Sequence, residues 1–231
     1  MVQGIGRALA KAVQQEGMGE DLAIEGPSLA NARRRLLFRY LCLRPCARVG
    51  DIVRDLSMSQ ATVRWHVWDL LENGYVQVTG TRAFPSGLID PEDTGLFTSL
   101  ASAGRAAVLV ATHASPGTSY KEVAREVGLT RQSVSKIVQE LSEYGLLSLV
   151  EDGRYRRLYP TDRLAAKREA NRPRAESFGD AILRRLAADG LSPELLRRDG
   201  TALLVRFGVG SLRIVLDVPL DPYATSWQGA V

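Results

Sequence analysis

Apolar and polar positions fall in short periodic blocks along most of the chain. Between Thr130 and Gly145 the apolar residues Val134, Ile137, Val138 and Leu141 sit at i, i+3, i+4 and i+7, one face of a helix. Thr130 suits the N-cap of that helix, and Gly145 suits a left-handed stop. The amphipathic piece Tyr120–Val127 precedes it through Gly128-Leu129, so the pattern predicts two short helices meeting at a tight turn. Residues 146–150 and 154–159 then read as two strands around Glu151-Asp152-Gly153, the second rich in arginine.

The same pattern occurs earlier. A helix is expected from Ser28 to about Leu43, with Pro45 beyond its end. A short helix over 49–56, the turn Ser57-Met58, a helix over 59–73 stopped at Gly74 and a strand over 75–79 follow, with 80–87 as a loose loop. A fixed shift of 71 residues lays this segment on the next without a gap. Arg34 meets Arg105, Pro45 meets Pro116, Val63 meets Val134, Leu70 meets Leu141 and Gly74 meets Gly145. Ser59 with Thr130 and Thr62 with Ser133 are conservative matches at the cap. Two copies are therefore expected, over 28–90 and 91–162, the second opening with a helix over 94–113. Helix, helix, hairpin is the order of a winged helix, so the expected fold class is mainly α with small β-hairpin wings.

Flanking segments read differently. Residues 1–27 are slightly acidic and are expected to form a helical arm. Residues 163–177 are strongly charged and contain Pro173, which reads as an exposed helix and linker. From 178 to 231 a small α+β module is expected. Its parts are a helix face at 178, 182, 183 and 186, a second short helix begun by Ser192-Pro193-Glu194, and β-rich runs over 202–208 and 211–218, then a tail. So small a module buries little surface alone, so it should pack on the preceding units or on another copy of itself.

The stretch from Thr62 to Val76, TVRWHVWDLLENGYV, resembles the recognition helix of ArsR-type regulators and of archaeal winged-helix regulators. Gly128-Leu129-Thr130-Arg131-Gln132-Ser133-Val134-Ser135 is similar to the MarR type. The resemblance spans roughly 28–162. It implies a tandem winged helix-turn-helix transcriptional regulator that binds double-stranded DNA in a sequence-specific manner, with helices 59–73 and 130–144 as the reading elements. In the first copy Phe84-Pro85-Ser86-Gly87 stands where a charged hairpin would be, a departure from the pattern.

The first turn of such a helix enters the major groove, so Arg131, Gln132, Ser135 and Lys136 are the candidates for base contacts. Gln60, Arg64 and Trp65 are candidates in the first copy, although Trp65 and Trp68 are equally suited to closing an interdomain contact. Arg154, Arg156 and Arg157 belong to the wing, where phosphate contact is expected. His66 aligns with Ile137 and is expected in the core.

Composition narrows the alternatives. A net charge of +4 and a pI near 9.3 suit nucleic acid without requiring it. Cys42 and Cys46, two thiols in 231 residues, fit a reducing cytoplasm and buried core positions rather than a metal site. The longest apolar run, 106–111, is far short of the ~20 residues a membrane span needs. Phosphate loops, metal-spaced histidines and elbow serines are missing from the sequence, so neither an enzyme nor a cofactor is expected. A homodimer is expected, and the sequence leaves any small-molecule effector undefined. The rival class is a tandem winged-helix module that binds proteins, as in chromosome-segregation or polymerase-associated factors; RNA binding is a third.

Overall fold

In the computed structural model, which describes residues 28–153 and 155–228, Asn31 starts the first long helix. Its side chain accepts hydrogen bonds from the backbone N–H groups of Arg33 and Arg34, so α1 spans Ala32–Leu43 and a 3-10 turn, Ser28–Ala30, precedes it. The arm expected over 1–27 lies outside the described residues. The next elements are β1 (Ala47–Arg48), α2 (Val49–Leu56), α3 (Gln60–Glu72), β2 (Val76–Thr79) and β3 (Arg82–Pro85). The second unit runs α4 (Thr94–Leu100), α5 (Ala103–Ala114), β4 (Thr118–Ser119), α6 (Tyr120–Val127), α7 (Arg131–Glu143), β5 (Leu147–Asp152) and β6 (Tyr155–Pro160). Their antiparallel sheets have the orders β1-β3-β2 and β4-β6-β5.

Backbone punctuation follows the 71-residue spacing. Cys46 and Gly117, Ser57 and Gly128, and Gly74 and Gly145 are three such pairs, and all six residues have positive φ. Glycine tolerates that region, whereas Cys46 and Ser57 occupy it against the clash of a Cβ.

Several expectations need correction. Residues 80–87 are not a loose loop: β3 pairs with β2 from Val76↔Pro85 to Thr79↔Arg82 and with β1 on its other side. The helix expected over 94–113 is two helices bent by 86° where Ala101 and Ser102 interrupt it. Residues 163–177 are not a linker, because one helix, α8, runs without interruption from Arg163 to Ala188. Pro173 lies inside it on the solvent side, while Leu164, Asn171, Ala175, Phe178, Ile182 and Leu186 form its buried face. The segment after Ser192 is a strand, β7 (Glu194–Arg198), with Arg206 of the neighbouring strand holding Glu194 at 2.7 Å. The supposed tail contains α9 (Pro222–Thr225), whose Tyr223 is buried.

β7, β8 (Ala202–Val209) and β9 (Leu212–Pro219) form a third antiparallel sheet. Alternation along β8 and β9 buries Leu203, Val205, Phe207, Ile214, Leu216 and Val218 on one face. The sheet packs on α1, with Arg39 paired to Asp217 at 3.0 Å. Phe178 of α8 lies 6.4 Å from Phe38, and Tyr75 donates to Asp189 at 2.7 Å. One hydrophobic core joins all these parts.

Candidate nucleic-acid interface

α7, the second helix expected to read DNA, is held by its ends and its inner face. Thr130 Oγ1 accepts the backbone N–H of Ser133 at 3.1 Å, and the two hydroxyls share a hydrogen bond at 2.9 Å. Gly128, with φ of 69°, turns the chain from α6 into that cap. Val134, Val138 and Leu141 are fully buried. Glu140 anchors α7 to the preceding helices, accepting from the Ser99 hydroxyl at 2.9 Å and Arg105 Nε at 2.6 Å.

The opposite face is left to solvent. Arg131, Gln132, Ser135, Lys136 and Gln139 are all exposed. Among the described residues no carboxylate pairs with Arg131 or Lys136, whereas Arg34, Arg39, Arg54, Arg105, Arg168 and Arg198 are each committed to a carboxylate. The mild overall charge therefore understates the positive character of this face.

The wing is more mixed than its arginines suggest. Arg156 is exposed opposite Glu151 in the register and lies 3.7 Å from its carboxylate. Arg157 turns inward at the hairpin base, reaching Asp152 at 3.4 Å and donating to the Gly117 carbonyl at 3.3 Å. Arg154 lies outside the described residues.

The first unit repeats the cap: Ser59 accepts from the Thr62 N–H at 3.1 Å, and their hydroxyls lie 2.8 Å apart. Gln60 and Arg64 are exposed on α3. Trp65 is half-buried, with the Arg34 guanidinium 4.7 Å from its ring centre and His66 stacked edge-on at 5.1 Å. His66 is fully buried, and both its ring nitrogens lack hydrogen-bond partners. Burial and, secondarily, Arg34 and Arg33 push its pKa down to about 4.

Sequence reasoning missed the carboxylate clasps. Asp69 takes Ser28 at 2.5 Å and Arg34 at 2.8 Å, and Glu140 takes Ser99 and Arg105. All three members are separated by 71 residues, so the shift that matched Arg34 with Arg105 also held the other two pairs.

No group of three or more His, Cys, Asp or Glu residues is arranged to hold a metal among the described residues. Cys42 and Cys46 are free and buried, and burial raises both thiols, Cys46 to about 11. No single described helix is long and apolar enough to cross a membrane.

Residues 102–158 match the model of the MarR family. This stretch is similar to a MarR-type winged helix-turn-helix. It begins at the N-cap of α5 and ends in β6, so the MarR-type match takes in α7 and the wing. The chain is also similar to the PcaV transcriptional regulator from Streptomyces coelicolor, in crystal structures with and without its natural ligand. Identity is 33% in both cases over 38% of this chain, with TM-scores of 0.28 and 0.26. The matched part spans 65% and 66% of those chains, just under two thirds of their length. No curated protein matches.

Proposed function

We propose that the protein is a sequence-specific, double-stranded DNA-binding transcriptional regulator built from two tandem winged helices. The observation that carries this reading is the outer face of α7, where Arg131, Gln132, Ser135 and Lys136 stand exposed with no competing carboxylate on the two cations. Arginine and glutamine offer the paired donors and acceptors that base edges require, and lysine adds a mobile positive charge. α7 reads the major groove from its N-terminal turn, and Arg156 grips a neighbouring phosphate. In the first unit Gln60 and Arg64 take the reading role, and Trp65 supports α3 from beneath Arg34. Trp65 packs against Arg34 of its own unit, which favours the DNA reading over the protein-interaction alternative.

A homodimer belongs to the same reading. Leu195, Leu196, Leu212 and Val215 are 40–60% exposed on the third sheet, apolar surface that a second copy could cover. Light scattering at tens of micromolar decides that part.

The deciding experiment is a fluorescence titration of the full chain with random and genomic duplex DNA across a salt series. Saturable binding that weakens steeply with salt is expected, because each neutralised phosphate releases counterions. A folded chain with no duplex binding at low salt would refute the regulator reading.

A further inference from the structure

The connection between the two units ends in a buried carboxylate. Asp93 closes the 3-10 turn Pro91–Asp93, between β3 and α4, and its side chain is 9% exposed. One of its oxygens takes Lys167 of α8 at 2.5 Å, and the other takes the Tyr223 hydroxyl of α9 at 2.6 Å. Burial and then Asp93 itself raise the Tyr223 pKa, so that hydroxyl remains a donor.

Tyr223 belongs to a segment, residues 220–227, that touches each part of the molecule in turn. The Leu220 N–H donates to the Thr201 carbonyl, in the turn before β8, at 2.8 Å. Asp221 pairs with Arg168 of α8 at 2.6 Å and caps α9 by accepting the Ala224 N–H. The Tyr223 ring lies 4.9 Å from that of Phe97 on α4. Thr225 donates to the Leu43 carbonyl, at the end of α1, at 2.9 Å. Trp227 stacks on His113, near the end of α5, with ring centres 4.6 Å apart. First unit, second unit, α8 and third sheet are thus joined by one short run of chain.

This run is more than an extension of the core. α9 has four residues, too few to hold a helix without outside partners. Beneath Trp227 a cavity of about 670 Å³ separates Arg44, at the end of α1, from Ala103, Ala106 and Val110 of α5, so the two units are not close-packed there. The segment spans that gap by hydrogen bonds and ring contacts on either side. A stretch near a chain end that is held in this way can open while the units stay folded.

We propose that residues 220–227 act as a strap that fixes the orientation of the second unit against the first, with Asp93 as the positioning residue on which the strap closes. Closed, it holds α3 and α7 at one separation and phase; open, it lets them swing about the connection at 91–93. The consequence for DNA rests on the tandem reading above, whereas the strap itself does not.

Pulsed electron-resonance distances in the full chain test it without DNA, so failure of the strap and failure of DNA binding are separate results. Spin labels are carried by Glu72→Cys and Lys121→Cys, exposed positions on α3 and α6, while Cys42 and Cys46 are buried. The doubly labelled parent should give one narrow distance distribution. Tyr223→Phe, which removes only the hydroxyl, and Trp227→Ala should each widen it at least about twofold. Tyr40→Phe is the matched control: it removes an equivalent hydroxyl–carboxylate bond, to Asp55 at 2.8 Å, within the first unit, and should leave the distribution narrow. An unchanged width in both strap variants, a broad parent distribution, or equal widening by Tyr40→Phe overturns the proposal.

Discussion

Arg34 Nη1 lies 2.8 Å from Asp69 Oδ2, and 71 residues later Arg105 holds Glu140 in the same relation at 2.6 Å. In each unit a serine from the preceding segment completes the clasp, so α3 is tied to α1, and α7 to α5, by charge as well as by packing. The two clasps differ in burial: the first pair is 3% and 16% exposed, the second 30% and 30%. Removing one partner from a buried pair strands the other charge, here a guanidinium whose Nε already has no partner. Asp69→Asn should therefore cost about 3 kcal/mol. Glu140→Gln should cost about 1 kcal/mol, because solvent screens it. Urea unfolding followed by circular dichroism measures both, and equal losses would contradict the burial argument.

Reading and gripping separate by mutation. Arg131→Ala and Lys136→Ala should each reduce discrimination between a specific site and random duplex by about 1–3 kcal/mol. Arg156→Ala should weaken all sequences alike and lower the salt slope by about one unit. Arg157→Ala should instead lower stability, since that side chain ties the wing base to Asp152 and Gly117. Competition titrations at two salt concentrations, paired with melting curves, distinguish the three behaviours.

Ser57 and Gly128 occupy equivalent turns with φ of 51° and 69°. The left-handed region costs a side-chain-bearing residue about 1 kcal/mol. Ser57→Gly should consequently raise stability by up to about 1 kcal/mol, and Gly128→Ala should lower it by a similar amount. No atom lies within 4 Å of a Cβ built on Gly128, so the loss in that variant would report backbone conformation alone. Thermal unfolding of the two variants should move in opposite directions.

Acid should destabilise the first unit through His66. Its folded pKa is about 4, below the ~6.5 of an unfolded histidine. Between those values the unfolded chain binds more protons, so the stability His66 contributes is complete above about pH 6.5 and falls away toward pH 4. His66→Ile, which installs the residue found at the matching position 137, should flatten that limb by up to about 1.4 kcal/mol per pH unit. Denaturation midpoints of both chains between neutral pH and pH 4 supply the comparison; parallel curves would remove His66 as the cause.

The bounds of α3 and α7 were legible because apolar period, hydroxyl cap and glycine stop agreed within a dozen residues. α3 and α7 accordingly start and end within a residue of the expected bounds. Elements whose local chemistry opposes their tertiary setting were not legible. Pro85 and its glycine neighbours look like a loop, yet β3 is a central strand in which Pro85 is the last residue. Ser192-Pro193-Glu194 has the form of a helix start, but Arg206 captures Glu194 from the neighbouring strand. The charged stretch around Pro173 carries too little apolar signal to announce a continuous helix. It is held by distant partners: Lys167 on Asp93 at 2.5 Å, Asn171 on the Leu88 carbonyl at 2.9 Å and Arg174 on Asp90 at 3.3 Å. At the interface, the helix face was readable from residue type, whereas the inward turn of Arg157 and the placement of Trp65 under Arg34 depend on contacts far away in sequence.

α8 begins immediately beyond the second wing and ends against Tyr75 of the first unit. Its 26 residues span about 39 Å at 1.5 Å per residue. A single stiff rod that joins two unlike units has a direction. Its two ends are not interchangeable, and no rotation maps one onto the other. For each tandem chain proposed above, the matching half of the DNA site would carry the same asymmetry: two different words in a fixed order and helical phase, a pair that a two-fold dimer would repeat inverted. Inverting one word, or adding half a helical turn between them, would break recognition while leaving every base contact chemically possible.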